Sequence, residues 1–281
     1  MRVEEILSKA IEELNKGRPV AIAVITGKEG SGPREIGATM VVTVDGEKIG
    51  TIGGGELESL IVKNAIEALQ SGNPKKIRLA LRRENIPPDA QPTGMLCGGV
   101  VEVFINVLKP RPRIIILGAG NVGKPLADIA NILGYRVVVM DKDESLANTI
   151  RYPYAEYVFA GDFISEVGKI ESSPNDVFAV VYGEVETDYQ ALKKVIQNHP
   201  GRHIWVLCSR HRAKWMEERL VQEGVSVESL KNYIHMPAGL DINSSTPEEI
   251  AISIWSEIIC VMKNCSIPVG SLNILSNQRR E

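Results

Sequence analysis

An apolar stretch at residues 113–117 runs straight into Gly118-Ala-Gly120-Asn121-Val122-Gly123 and then into a helical pattern. A strand, a tight glycine turn and a helix in that order make the opening step of a dinucleotide-type βαβ fold. Gly118 permits the turn, Gly120 lets a phosphate approach the backbone, and Gly123 lets the helix pack closely on the strand. The helix N-terminus faces the anion, so Asn121 and Val122 join the three glycines as candidate contacts. Asp141 ends the next predicted strand. An acid there accepts hydrogen bonds from ribose hydroxyls and repels a 2′-phosphate, which favours NAD over NADP. A Rossmann-shaped scaffold holding another phosphate-bearing ligand, or none, uses the same residues, because fold does not fix function.

The surrounding pattern extends this step. Strands are predicted at 113–117, 136–140, 157–160, 177–182 and 203–207. Helices are predicted to begin near Val122, Glu144, Phe163, Asp188 and Arg210. Such alternation implies parallel strands with crossover helices. A closing helix starts at Thr246-Pro-Glu-Glu249, with Thr at N-cap, Pro at N1 and Glu at N3, and runs to about Lys263. Residues 264–281 read as a mobile tail.

Upstream the pattern differs. Val3, Ile6, Leu7, Ala10, Ile11 and Leu14 repeat at helical spacing, and Gly17 stops that helix. A strand follows at 20–25, then a Gly/Pro-rich loop at 28–37. Strands at 39–44 and 48–52 flank Asp45-Gly46, a signal for a two-residue hairpin turn. Gly53-Gly54-Gly55 leads into a helix, and strands at 76–81 and 100–107 complete the segment. The expected architecture is α/β: a small α+β domain at 1–108, a linker at 109–112 with two prolines, and a Rossmann-like doubly wound parallel sheet at 113–263.

A length of 281 residues suits two domains. The net charge of −3 supplies no basic field for nucleic acid. No apolar run is long enough for a membrane span. The four cysteines include no CxxC pair, which points to reduced thiols and a cytoplasmic protein.

Within the first domain, glycine clusters at 30–37, 50–55 and 98–99 are either anion-binding nests or structural turns. Ser31 and Arg34 add a hydroxyl and a guanidinium, and Gly53, Gly54 and Gly55 add a helix dipole. Cys97 stands in a Gly-flanked loop, either as a small apolar side chain or as a thiolate that binds a soft metal or carries sulfur. Cys208, Cys260 and Cys265 lie in or beside apolar elements and read as buried bystanders. His199, His203, His211 and His235 form no metal-ligand spacing. Ser209 and Arg210 open the helix after the fifth strand, as phosphate contacts or as a solvated basic face.

Together these segments resemble the XdhC/CoxI family over nearly the whole chain, from about residue 5 to 263. The resemblance rests on Ser31-Gly-Pro-Arg34 with Gly37 and Met40, Gly50-x-x-Gly-Gly-Gly-x-x-Glu58, and Cys97-Gly98-Gly99-x-x-Glu102. Gly118-x-Gly-x-x-Gly123, Ser209-Arg210, Ala238-Gly-Leu-Asp-Ile242 and Thr246-Pro-Glu-Glu-Ile-Ala251 complete it.

The resemblance implies an accessory protein for molybdenum-containing xanthine or carbon monoxide dehydrogenases. Such a protein binds the molybdenum cofactor (molybdopterin) and assists its sulfuration with a cysteine desulfurase. It then delivers the cofactor to the hydroxylase apoenzyme. In that role Cys97 contacts molybdenum or the transferred sulfur, Ser31, Arg34 and Gly53–Gly55 hold the pterin phosphate, and Glu58 and Glu102 order the loops. Two departures stand out. Many members have cysteine where this chain has Glu56, and the histidines of a Thr-His-x-His-x-x-Asp stretch are replaced by Gly183 and Val185, with Asp188 retained. Competing expectations are an NAD-dependent oxidoreductase and a module sensing NAD redox state. Ile250, Ile254, Trp255 and Ile258 on the closing helix suggest either a homodimer interface or intrachain core.

Overall fold

The computed structural model describes residues 2–265 and Leu272. Two compact units divide the chain, the first ending at Pro110 and the second beginning at Arg111. The division falls within the segment 109–112, whose prolines lack the N–H a sheet or helix needs.

Unit 1 contains α1 (Val3–Asn15), β1 (Val20–Glu29), β2 (Thr39–Thr43), β3 (Lys48–Gly50), α2 (Gly55–Ser71), β4 (Lys75–Ala80), β5 (Gln91–Pro92) and β6 (Val100–Leu108). The strands form one six-stranded sheet in the order β3-β2-β1-β6-β4-β5. Only the β4–β5 pair is parallel. Side chains alternate across a strand, so each face gathers its own set. On one face α2 packs Leu57, Ile61, Ala65 and Ala68 over Ala21, Ala23, Ile25, Met40, Val101 and Val103. On the other, Ile6 and Ala10 of α1 meet Val20, Val41 and Ile49.

Two local expectations shift. β1 continues to Glu29 because its pairing with β6 resumes after a bulge between Ile25 and Gly27. The β2–β3 turn is longer than two residues. The Gly46 N–H donates to Thr43 O at 3.0 Å and the Thr43 N–H to Glu47 O at 3.1 Å, so Val44, Asp45 and Gly46 form the loop. Gly46 has a positive φ of 79° and Asp45 does not, which matches a type I turn closed by a left-handed glycine.

Unit 2 contains β7 (Arg113–Leu117), α3 (Gly123–Ile132), β8 (Arg136–Asp141), β9 (Tyr157–Ala160), α4 (Phe163–Val167), β10 (Asp176–Val180), α5 (Val185–Asn198), β11 (His203–Val206), α6 (Arg210–Gln222), α7 (Val227–Leu230), β12 (Ile234–His235) and α8 (Pro247–Met262). Its sheet runs β12-β11-β10-β7-β8-β9, and every neighbouring pair is parallel. One face holds Ile115, Val138, Phe178 and Ile204 under Phe163, Leu192 and Met216. The opposite face holds Ile114, Ile116, Val139 and Ala179 under Leu126, Ala130, Ile254 and Trp255. This is the doubly wound Rossmann arrangement, and its topological switch point lies between β7 and β10.

The helix expected near Glu144 is absent. Asp143 Oδ1 accepts from the Ser145 N–H (2.8 Å) and Asn148 Oδ1 from the Arg151 N–H (2.9 Å). These side chains offer the backbone a local alternative to helix.

The closing helix buries Ile254, Trp255 and Ile258 within unit 2, and Trp255 Nε1 donates to Leu126 O at 2.9 Å. That face is intrachain core. The reading of four free thiols also needs correction. Cys260 and Cys265 are joined in a disulfide, while Cys97 and Cys208 are free. The chain folds back after α8, the Cys265 N–H donating to Cys260 O at 2.9 Å, which brings the two Cα atoms to 4.9 Å. Beyond Cys265 the expected tail lies outside the described residues, apart from Leu272, whose N–H donates to Gly239 O at 3.0 Å.

The start of α8 is a capping box. Thr246 Oγ1 accepts from the Glu249 N–H at 3.2 Å, and Glu249 Oε2 accepts from the Thr246 N–H at 3.1 Å. Replacing Thr246 by Ala is expected to destabilise unit 2 by about 1 kcal/mol. Urea unfolding checks this as a lower midpoint at an unchanged slope.

Candidate functional site

Three glycine-rich loops meet at one end of the unit 1 sheet. One leaves β1 and carries Ser31 and Arg34. One joins β3 to α2 and carries Gly53, Gly54 and Gly55. The third enters β6 and carries Cys97, Gly98 and Gly99. The first and third touch through their backbones, and the second meets both through side chains. A Cβ at Gly99 would collide with Ser31 O and lie 2.6 Å from Glu29 O. Gly53 is packed against Pro33, and Gly94, ahead of Cys97, against the Glu56 carboxylate. The third loop is pinned to β4, with the Leu81 N–H donating to Gly99 O at 2.8 Å and the Gly98 N–H to Leu81 O at 2.7 Å.

Glu58 fixes the second loop from inside. Its side chain is buried, and Oε1 accepts from Thr51 Oγ1 (2.5 Å), Gly54 N (2.9 Å) and Ile52 N (3.3 Å). Oε2 meets Lys48 Nζ at 2.8 Å. Burial opposes ionisation here, but the bonds from Lys48, Thr51, Gly54 and Ile52 outweigh it and hold the pKa down to about 2. The N-cap of α2 is Gly54, and no side chain caps the helix. With Glu58 already holding Gly54, the first-turn N–H groups of α2 remain for an outside acceptor.

The groups around these loops suit an anion. Arg34 is exposed and has no ion pair or hydrogen bond among the described residues. Cys97 is half-buried, with its thiol free and its side chain against the α2 core. Sequence reasoning missed Arg82. It directly follows Leu81, the residue bonded to Gly98 and Gly99, and its Nε is buried with no hydrogen-bond partner. A buried donor without an acceptor is uncommon in a native fold, and the Nε atoms of Arg113, Arg151 and Arg202 share that condition here. The signal of Arg82 in the sequence is weak, because a single arginine after a strand is ordinary.

Glu102 does not join these loops. It accepts from Thr26 Oγ1 at 2.9 Å and pairs with Lys76 at 3.0 Å on the sheet face opposite α2. There it lines a groove of about 760 Å³ with Lys28, Glu29, Arg78 and Asp89. The basic groups in that groove already hold acids: Arg78 meets Asp89 at 2.5 Å and Glu29 at 2.8 Å, and Lys28 meets Glu35 at 2.5 Å.

Unit 2 places the remaining candidates at the carboxyl ends of its parallel strands. A Cβ at Gly118 would lie 2.5 Å from Tyr182 N, and one at Gly123 would collide with Gly118 O, so both close approaches exclude a side chain. Gly120 instead faces open space, as a phosphate-accepting backbone must. Val122 is the N-cap of α3, which has no side-chain cap. Asp141 is buried at 3% exposure. Its Oδ2 accepts from the Ala119 N–H (2.6 Å) and its Oδ1 from the Asp143 N–H (3.0 Å). Its carboxylate thus braces the glycine loop.

Ser209 caps α6, accepting from the Arg212 N–H at 3.2 Å, while the largely exposed Arg210 lies 3.8 Å from Asp241. Asp188 is buried and takes the N–H groups of Gly183 (3.0 Å) and Tyr182 (3.2 Å). Burial dominates over those bonds and pushes its pKa up to about 6, and burial likewise raises the Cys208 thiol to about 12.

Fold and loops together define the class: a glycine-loop α+β unit followed by a Rossmann unit. The chain belongs to the XdhC and CoxI family. The model of the XdhC Rossmann domain matches residues 114–258, and that of the XdhC and CoxI family matches residues 13–80. Among curated relatives, the Escherichia coli K12 protein YqeB is 33% identical over 260 residues, covering 92% of this chain and 46% of that protein. A Bacillus subtilis 168 protein, named as a probable xanthine dehydrogenase component, is 27% identical over 165 residues, covering 59% of this chain and 47% of that protein. The E. coli K12 molybdenum cofactor insertion chaperone PaoD is 27% identical over 125 residues, covering 43% and 37%. The chain spans about half or less of the length of these relatives.

The brace made by Glu58 carries a pH signature. Its folded pKa lies below the ordinary 4.5, so its stabilisation is present above that value and is lost as pH falls towards 2. Glu58→Gln is expected to cost about 2–3 kcal/mol at pH 7 and less than half of that at pH 3. Denaturant unfolding of both proteins at the two pH values measures the difference.

Proposed function

We propose that this chain is an accessory protein, rather than an enzyme, that binds molybdenum cofactor and prepares it for a xanthine dehydrogenase type hydroxylase. The cargo is a phosphorylated pterin bearing a dithiolene-bound metal, so its holder needs donors for an anion and a soft group near the metal. The observation that carries this reading is the meeting of three glycine loops beside a free half-buried thiol, with Arg82 Nε buried and unpaired. Arg34, Arg82, Ser31 and the N–H groups at Gly53–Gly55 hold the phosphate. Cys97 faces the metal or its exchangeable sulfur, as a soft ligand suits molybdenum bound by sulfur. The names of two relatives, a probable xanthine dehydrogenase component and a molybdenum cofactor insertion chaperone, agree with this assignment. The partners are the hydroxylase apoenzyme and a cysteine desulfurase.

Unit 2 supports a second function in the same protein. Gly120 faces open space at the start of α3, and α3 lacks a side-chain cap. Those features suit a nucleotide, either NAD or the nucleotide portion of a larger cofactor. Gly118–Gly123, Ser209 and Arg210 are its contacts. Asp141 acts on that ligand by holding Ala119.

The test is expression without oxygen in a host that makes molybdopterin, followed by assays for molybdenum and for oxidised-pterin fluorescence. Near-stoichiometric pterin is expected, falling at least tenfold in Arg34→Ala and in Cys97→Ala. Tight NADH binding with no pterin would contradict the reading and favour an oxidoreductase or a redox sensor.

A further inference from the structure

Rossmann sheets bind their ligands where the strand order reverses, above the carboxyl ends of the central strands. In unit 2 that place lies between β7 and β10, with β8 on the far side of β7. The residue that follows β8 is Lys142, and its side chain crosses this place. Lys142 Nζ donates to Thr187 Oγ1 at 3.0 Å, lies 3.8 Å from Glu184 Oε2, and stands 5.1 Å from the centre of the Tyr182 ring. All three partners belong to the segment that follows β10 and opens α5. The span covers two strand spacings, roughly 10 Å.

Two features bear on what this strap does. Its ion pair with the exposed Glu184 is long, 3.8 Å, and contributes little, the Glu184 Oε2 being taken instead by Thr187 Oγ1 at 2.6 Å. Asp141, the acid expected at the ribose, is turned inward onto Ala119 and Asp143. That leaves Lys142 as the charged group at the end of β8 that faces the crevice.

We propose that Lys142 is the phosphate-gripping residue of this crevice. In the structure its ammonium bridges β8 to the start of α5. When a nucleoside diphosphate group lies on the Gly118–Gly123 loop, the ammonium leaves Thr187 and Glu184 for the phosphate. The ligand class is therefore a nucleoside diphosphate, alone or within a dinucleotide. This inference rests on the reading of unit 2 as a nucleotide crevice.

Calorimetric titration of the full chain with nucleoside diphosphates of the common bases, the matching nucleosides and NADH tests it. Lys142→Met is expected to weaken the preferred diphosphate at least tenfold while changing the matching nucleoside by less than twofold. Glu184→Gln, which removes the competing carboxylate, is expected to tighten the diphosphate about threefold. NADH binding with the same Lys142 dependence identifies a dinucleotide as the source of the diphosphate, and its absence identifies a free nucleotide. Diphosphate binding that is equal in wild type and Lys142→Met overturns the role of Lys142 and leaves the crevice reading intact. A wild type that binds no nucleotide overturns both.

Discussion

The unit 1 site depends on one contact, the carbonyl of Ser31 lying against the backbone of Gly99. Nothing with a β-carbon fits there. Because the loops touch through their main chains, the Arg34 loop and the Cys97 loop keep a fixed spacing that side-chain packing alone would not enforce. Leu81 extends the same contact to β4 through its two bonds with Gly98 and Gly99. Arg82 follows Leu81 and is thereby brought beside the loops. Loop, thiol and the buried Arg82 Nε follow from one close approach.

Both units solve the same electrostatic problem in the same way. A glycine-rich turn exposes several N–H groups, and a loop with no internal acceptor would be poorly ordered before its ligand arrives. In unit 1 the buried Glu58 takes the N–H groups of Ile52 and Gly54. In unit 2 the buried Asp141 takes that of Ala119. Each internal carboxylate orders the inner side of its turn; the first-turn N–H groups of α2 have no side-chain cap, whereas in α3 the Lys124 N–H donates to Gly120 O at 3.1 Å and Pro125 has none, so Gly123 supplies the free donor there. Under the proposed function, an anionic ligand then meets a preorganised cradle. The protein's net charge of −3 would not attract such a ligand, so local donors must hold it.

Much of this was legible in the sequence because it rests on local rules. The glycines at 118, 120 and 123 after an apolar strand specified a strand–turn–helix, and the alternation that followed specified the doubly wound sheet. Thr246, Pro247 and Glu249 marked the start of α8. What failed to appear were features that depend on distant partners, on side-chain-capped turns, or on strands of two residues. Asp141 read as a ribose ligand because its inward bond to Ala119 is a matter of rotamer rather than spacing. Glu102 read as a loop brace, yet strand alternation carries it to the opposite face of the sheet. Asp143 and Asn148 replaced an expected helix with side-chain-capped turns. The two-residue strands β5 and β12 are too short to show a period. Arg82 was missed because an unpaired buried nitrogen is visible only once the neighbouring chain is in place.

The central claim is that the three loops of unit 1 act as one cradle for the cofactor's anionic pterin. Hydrogen exchange read by mass spectrometry, on the full chain with and without purified molybdenum cofactor, addresses it most directly. The account predicts that bound cofactor slows exchange together in segments 30–38, 51–57 and 93–99. Protection confined to 118–123 and 182–188, with those three segments unchanged, would contradict it.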